Sequence, residues 1–228
     1  MAEATSYSKV ESHCCCPRLS LHKHYSANGL SCCYGTVYSR KDADLILAEC
    51  ESSLVYAVGA EKKVKVYGKW HEIPRKQSAY GDPGMVYRFS GVSLRAKPWL
   101  PFLIEIRDRV SELCQCQFNF VLINRYKDGE DSMGEHQDDE KDLDLTAPIA
   151  SLSFGRARDF VFRHESVKLK KKPPLPKTDK IKIELGHGSM LVMNPPTNNH
   201  WYHSLPARKN LLGVRVNMTF RKINTRSK

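Results

Sequence analysis

The stretch Arg215-Val216-Asn217-Met218-Thr219-Phe220-Arg221 decides how this chain is read. It alternates without a break. Arg215, Asn217, Thr219 and Arg221 share one face of an extended strand, and Val214, Val216, Met218 and Phe220 share the other. The apolar face should pack into a core. The polar face then lines something wet, and its two arginines want anions. Guanidinium forks match carboxylates bidentately, so a small dicarboxylate suits the pair. The pattern by itself also admits an edge strand with an exposed cationic face. A second stretch, 118–126, behaves alike: Phe118, Phe120, Leu122, Asn124 and Tyr126 alternate onto one face, and that face ends polar. Asn124 and Tyr126 are placed to bind the same ligand.

Outward from these two, further strands are expected at 148–154, 159–163, 181–185, 189–193 and 201–204. Two helices precede them. Ser39-x-x-Asp42 caps the first, before the apolar run Leu45-Ile46-Leu47-Ala48. The second spans 98–113, with prolines at its start and Trp99, Phe102, Leu103, Ile106, Val110 and Leu113 on one face. Many short strands behind two leading helices imply an α+β fold, a β-sandwich or jelly roll with helices packed outside. No G-x-G-x-x-G and no P-loop occur, which disfavours nucleotide-cofactor folds.

Residues 1–39 show neither periodicity and are expected to form a flexible, disordered leader, with the folded domain at 40–228. Five of the eight cysteines fall there: Cys14, Cys15, Cys16, Cys32 and Cys33. They lack the paired C-x-x-C spacing of structural zinc, and residues 1–10 lack the apolar stretch of a secretory signal, so a reduced, thiol-rich leader is expected. No apolar run approaches the ~18 residues of a membrane span. With 36 Lys plus Arg against 25 Asp plus Glu, the net charge of +11 points to a polyanionic partner, nucleic acid first. The insertion 167–182 is lysine- and proline-rich. It reads either as a solvated hairpin whose charge blocks edge pairing or as a phosphate-contacting loop.

Chemistry concentrates at His136-Gln137-Asp138. An H-x-D spacing on extended chain puts an imidazole and a carboxylate on one face, two members of a facial triad that leaves metal positions open, as suits non-haem Fe(II). With nine histidines in the chain, the same spacing also fits a surface loop in the acidic run after it. A third ligand must come from a distant strand. His203 lies between the H-x-D motif and the arginine strand, and His187 and His200 are rivals by composition.

Together, His136-x-Asp138, His203, Asn124-Arg125-Tyr126 and Arg215-x-Asn217-x-Thr219-x-Arg221 resemble the AlkB family of Fe(II)- and 2-oxoglutarate-dependent dioxygenases. The likeness runs from about Ser39 to Ile223 and is strongest to members that repair alkylated duplex DNA. It implies a double-stranded β-helix. It also implies Fe(II) on His136, Asp138 and His203, with O₂ and 2-oxoglutarate as co-substrates. Arg215 and Arg221 would meet the co-substrate's carboxylates, helped by Asn124, Tyr126, Asn217 and Thr219. The activity implied is oxidative demethylation of 1-methyladenine and 3-methylcytosine, releasing formaldehyde, succinate and CO₂. The base must be flipped to be reached. Glu140, Tyr87 and Phe89 would contact it, although Phe89 read without the family is a core strand residue. Val66-Tyr67-Gly68 resembles the family's finger, whose aromatic fills the vacated stack; relatives carry Phe where Tyr67 stands. Arg75, Arg208 and the lysines Lys168, Lys170, Lys171 and Lys172 are candidate phosphate contacts. The resemblance thus implies a nuclear, monomeric enzyme acting on double-stranded DNA, with no membrane partner. An RNA demethylase and a catalytically silent, nucleic-acid-binding jelly roll are the alternatives.

Overall fold

A computed structural model describes residues 22–59, 63–66, 69–89, 92–138, 140–169 and 180–224. In chain order its elements are β1 (His22–Ala27), β2 (Leu30–Thr36), α1 (Arg40–Ser53), β3 (Lys63–Val66), β4 (Lys69–Glu72), β5 (Lys76–Gly81), β6 (Val86–Phe89) and β7 (Val92–Arg95). Then follow α2 (Pro101–Cys114), β8 (Phe120–Tyr126), β9 (Met133–His136), β10 (Ile149–Gly155), β11 (Arg158–His164), α3 (Ser166–Leu169), β12 (Lys180–Leu185), β13 (Ser189–Met193), α4 (Thr197–His200), β14 (Trp201–Leu205) and β15 (Arg215–Arg221). The strands expected from 118 onward all form, with ends shifted by a residue or two.

A seven-stranded sheet runs β1-β2-β13-β10-β15-β8-β5, and a four-stranded sheet runs β12-β11-β14-β9. The strand pairings described within both are antiparallel, the arrangement of a jelly roll. The large sheet has two buried faces. Its outer face carries Val216, Met218, Phe220, Leu152, Ile123 and Val192, which pack with Leu103, Ile106 and Val110 of α2 and Ala43 and Cys50 of α1. Its inner face looks at the small sheet, where Leu191, Met193, Phe160, Phe162, Trp201 and Leu205 share a second core. β15 is therefore buried along its whole length. The reading of its polar face as an exposed edge is excluded, because β10 and β8 hydrogen-bond it on both sides.

α1 starts where its cap sits: the Ser39 side chain accepts from Asp42 N at 3.1 Å. α2 has proline at its first turn and ends at Gln115, whose left-handed backbone closes it. Phe118 departs from the expected alternation. The strand begins only at Phe120, so Phe118 turns to the helix-side core and packs on Phe220.

The boundary at residue 39 is corrected. Residues 22–36 are not a loose leader: β1 and β2 form a hairpin, and β2 pairs with β13 to extend the large sheet. Cys32 and Cys33 are fully buried, and neither is in a disulfide. Asn28-Gly29, with φ of 20° and 79°, makes the two-residue turn. That dipeptide was the signal available in the sequence; strand periodicity around it is masked by Ser, His and Cys. Cys14, Cys15 and Cys16 lie outside the described residues.

Candidate active site

β9 and β14 lie side by side in the small sheet, with His136 directly opposite His203. Asp138 follows β9 by two residues. The three side chains converge: one ligand atom from each lies within 4.8 Å of the others. His136 Nε2 is 3.4 Å and His203 Nε2 3.7 Å from Asp138 Oδ1. That buried oxygen has no hydrogen-bond partner in the protein. Such a set, two imidazoles and a lone-pair-bearing carboxylate oxygen aimed at one point, has the donors of an Fe(II) facial triad. His203 is the third member. His200 is engaged elsewhere, its Nδ1 3.1 Å from Glu165 Oε1, and His187 bridges Gly155 N and Asp44.

Charge holds the triad in its working state. Asp138 is 1% exposed, and burial alone would favour its neutral form, but Arg221 Nη2 and Nε donate to Asp138 Oδ2 at 2.6 and 3.1 Å and keep the carboxyl well below its usual range. Burial, with His136 beside it, pulls His203 down to about 3, so its imidazole is neutral and able to bind metal. A residue that the motif reading missed fixes the backbone: Asn198, in α4, accepts from Asp138 N at 3.0 Å and donates to Asp138 O. Nothing in its sequence context marks it.

A cavity of about 520 Å³ opens onto the triad, with Asn124, Asn217, Thr219 and Arg221 in its wall. The polar face of β15 is hydrogen-bonded into the sheet: Asn217 donates to Ser151 Oγ and Leu152 O, both at 2.7 Å, Thr219 donates to Asn217 Oδ1, and Arg215 Nη2 donates to Ser153 Oγ at 2.9 Å. Two guanidinium donors stay unsatisfied, Arg215 Nε and Arg221 Nη1. Buried donors without acceptors are costly, and these two suit an anionic ligand. Tyr126 stands opposite Arg215 across the β8–β15 ladder, with the Arg215 guanidinium 5.3 Å from its ring centroid.

The other wall holds Tyr87 and Glu140. Tyr87 is buried, stacks on Phe120 at 5.1 Å and donates its hydroxyl to Glu140 Oε1. Glu140 Oε2 is buried without a partner, and desolvation together with the Asp138 charge raises the Glu140 pKa. Arg75 is also in this wall. Its guanidinium is not turned to the outer surface as a phosphate contact would be: Nε donates to Asn124 Oδ1 at 2.8 Å and Nη1 to Ser132 O at 3.1 Å. Arg208, half exposed, is paired with Asp159 at 2.5 Å. Of Val66, Phe89 and Lys168 only the backbone is described, in β3, β6 and α3. Tyr67, Gly68, Lys170, Lys171 and Lys172 lie outside the described residues.

The fold and this site define a class. The model of the 2OG-Fe(II) oxygenase superfamily matches residues 34–221, and the chain belongs to that family. Within it, the chain is 54% identical to mouse DNA oxidative demethylase ALKBH2, over 88% of this chain and 83% of that one. It is 53% identical to the human protein of that name, over 88% and 76%. Mouse alpha-ketoglutarate-dependent dioxygenase alkB homolog 3 is 34% identical over 87% and 68%. Among solved structures, "The structure of OsALKBH1" superposes with a TM-score of 0.56 at 16% identity, covering 89% of this chain and all of the other, which bears on the fold alone.

The family uses Fe(II), 2-oxoglutarate and O₂, and the residues present fit that set. The orphaned Asp138 oxygen and the two imidazoles suit the iron. The unsatisfied arginine donors suit a dicarboxylate.

Proposed function

We propose that this protein is a DNA oxidative demethylase that removes methyl groups from 1-methyladenine and 3-methylcytosine in duplex DNA, as a monomer in the nucleus. The observation that carries the proposal is the division of the cavity around the triad. One wall is cationic and donor-rich, as a dicarboxylate requires. The other presents Tyr87 and a partnerless oxygen of Glu140, as a cationic or amine-bearing base requires. The relatives at 53–54% identity carry the name of that activity.

Bound iron with 2-oxoglutarate and O₂ supplies the oxidation of the N-methyl group, which leaves as formaldehyde, with succinate and CO₂ as co-products. The chain's own residues do the rest. His136, Asp138 and His203 would hold the metal, and Arg221 keeps Asp138 ionised. Arg215, with Tyr126, Asn124, Asn217 and Thr219, receives the co-substrate. Glu140 and Tyr87 orient the base.

A stacked base cannot enter such a cavity, so it must be flipped, at a cost of a few kcal/mol. The duplex reading draws support from the β3–β4 hairpin, whose strands pair with Val66 opposite Lys69 and which exposes Lys63, Lys69 and Trp70. The net charge of +11 suits a polyanion. Formaldehyde release from one methylated sequence, presented as duplex DNA, single-stranded DNA and RNA, tests the proposal. Release should be fastest from the duplex. Fastest release from RNA would make it an RNA demethylase, and none from any, with metal bound, a binding module. Tyr67→Ala should slow duplex repair about tenfold and leave single-strand repair nearly unchanged, because base stacking on an aromatic is worth roughly 1–3 kcal/mol.

A further inference from the structure

Arg158 opens β11 and is 1% exposed, yet it belongs to neither the triad nor the cavity wall. Its hydrogen bonds run to main-chain carbonyls. Nη1 donates to Asp128 O at 3.0 Å, and Nη2 donates to Asp131 O at 2.9 Å, Pro206 O at 2.8 Å and Gly129 O at 3.4 Å. Nε has no partner. Carbonyls solvate a guanidinium but do not neutralise it. The carboxylates of Asp128 and Asp131, in the same loop, turn to the loop's own amides and accept from Glu130 N and Lys127 N at 2.9 and 2.7 Å.

Arg158 and Arg215 both lie over the Tyr126 ring, with guanidinium carbons 5.9 and 5.3 Å from its centroid. Among the described residues, no carboxylate is paired with either. Burial pulls Arg215 down to about 10, and the charge of Arg158 adds to that fall. Two buried cations near one aromatic are costly until an anion joins them, and the charges of Asp131 and Asp128 offset only part of that cost at Arg158.

We propose that Arg158 is a positioning and selectivity residue for the co-substrate. It braces Tyr126 and the 127–132 loop, and it supplies a second buried positive charge that favours a 2-oxo acid bearing a distal carboxylate over one lacking it. It acts through Tyr126 and Arg215 and touches neither metal nor base. This rests on the reading that the distal carboxylate of 2-oxoglutarate meets Arg215.

Calorimetric titration of the Mn(II)-loaded protein with 2-oxoglutarate and with 2-oxovalerate, its analogue without the distal carboxylate, gives an affinity ratio independent of turnover. The wild type should prefer 2-oxoglutarate strongly. Arg158→Met should narrow the ratio roughly tenfold, as loss of a nearby partly screened charge implies. Arg158→Lys should keep most of it. Arg158→Gln, which loses the charge but keeps donors for the carbonyls, serves in place of a methionine variant that fails to fold. A ratio unchanged in the uncharged variants, whether or not both affinities fall, would reduce Arg158 to scaffolding and overturn the inference alone. A lysine variant that loses the ratio as fully as methionine would overturn the charge argument. A wild type with no preference would overturn the Arg215 reading and this inference with it.

Discussion

Asp138 serves two partners through two oxygens. Oδ1 faces the histidines and Oδ2 neutralises Arg221, whose side chain is 5% exposed. Asp138→Ala should therefore do more than remove a ligand: it strands a buried cation. Mn(II) binding should be lost, and the metal-free protein should lose about 3–5 kcal/mol. Adding Arg221→Met should return part of that stability without returning the metal. Chemical denaturation and metal titration read the two effects separately; equal stability in Asp138→Ala and wild type would deny the ion pair its role. His200→Ala, whose imidazole is held by Glu165, should keep metal affinity, and loss there would reopen the choice of third ligand.

Among elements, the loop between β8 and β9 is fastened to the loop after β14 through Gly129. Gly129 N donates to Leu211 O and Arg208 N donates to Gly129 O, both at 2.7 Å. A Cβ at position 129 would sit 2.0 Å from Arg208 O and 2.8 Å from Leu211 Cβ. Gly129→Ala should cost about 3 kcal/mol, the upper part of the overpacking range, whereas Gly134→Ala, with nothing within 4 Å, should stay within about 0.5 kcal/mol in the same thermal melts. A comparable loss at both positions would contradict this geometry. The end of β15 carries a pH signature. Hydrogen bonds from the Thr146 hydroxyl, Lys222 and Thr146 N pull Asp144 down to about 2. A carboxyl depressed on folding binds fewer protons in the native state, so its contribution is complete above the unfolded value near 3.9 and fades as pH falls toward 2. The stability gap between wild type and Asp144→Asn should be full at pH 5 and shrink between pH 4 and 2. A gap constant across that window would show that the charge is not what the loop uses.

At the scale of the whole molecule, β1 and β2 close one end of the large sheet. Leu30, Cys32, Cys33, Val37 and Tyr38 are all buried there. A chain beginning at Arg40 would expose the edge of β13 and both cores. Each lost large side chain is worth about 2–5 kcal/mol, against a total stability of about 5–15 kcal/mol, so that chain should not fold cooperatively. A 40–228 fragment with a wild-type melting transition would refute the assignment. The sequence by itself determined what is local and periodic. Strict alternation named the two faces of β15, the H-x-D spacing put His136 and Asp138 together, and the Ser39 cap and the proline-led apolar stripe located α1 and α2. All of these follow from geometry within a short run of consecutive residues. Tertiary structure alone decided which elements meet. Pairing of β9 with β14 set His203 opposite His136, while Glu165 took His200. Folding of the large sheet under the small one turned Arg221 onto Asp138, brought Asn198 to the Asp138 backbone and drew Arg75 inward. Burial also supplied the charge logic that no pattern of letters carries. Taken out of water and left without acceptors, the Asp138 oxygen and two arginine donors become a site for a metal and a dicarboxylate, because desolvation makes each unpaired group costly until its ligand arrives.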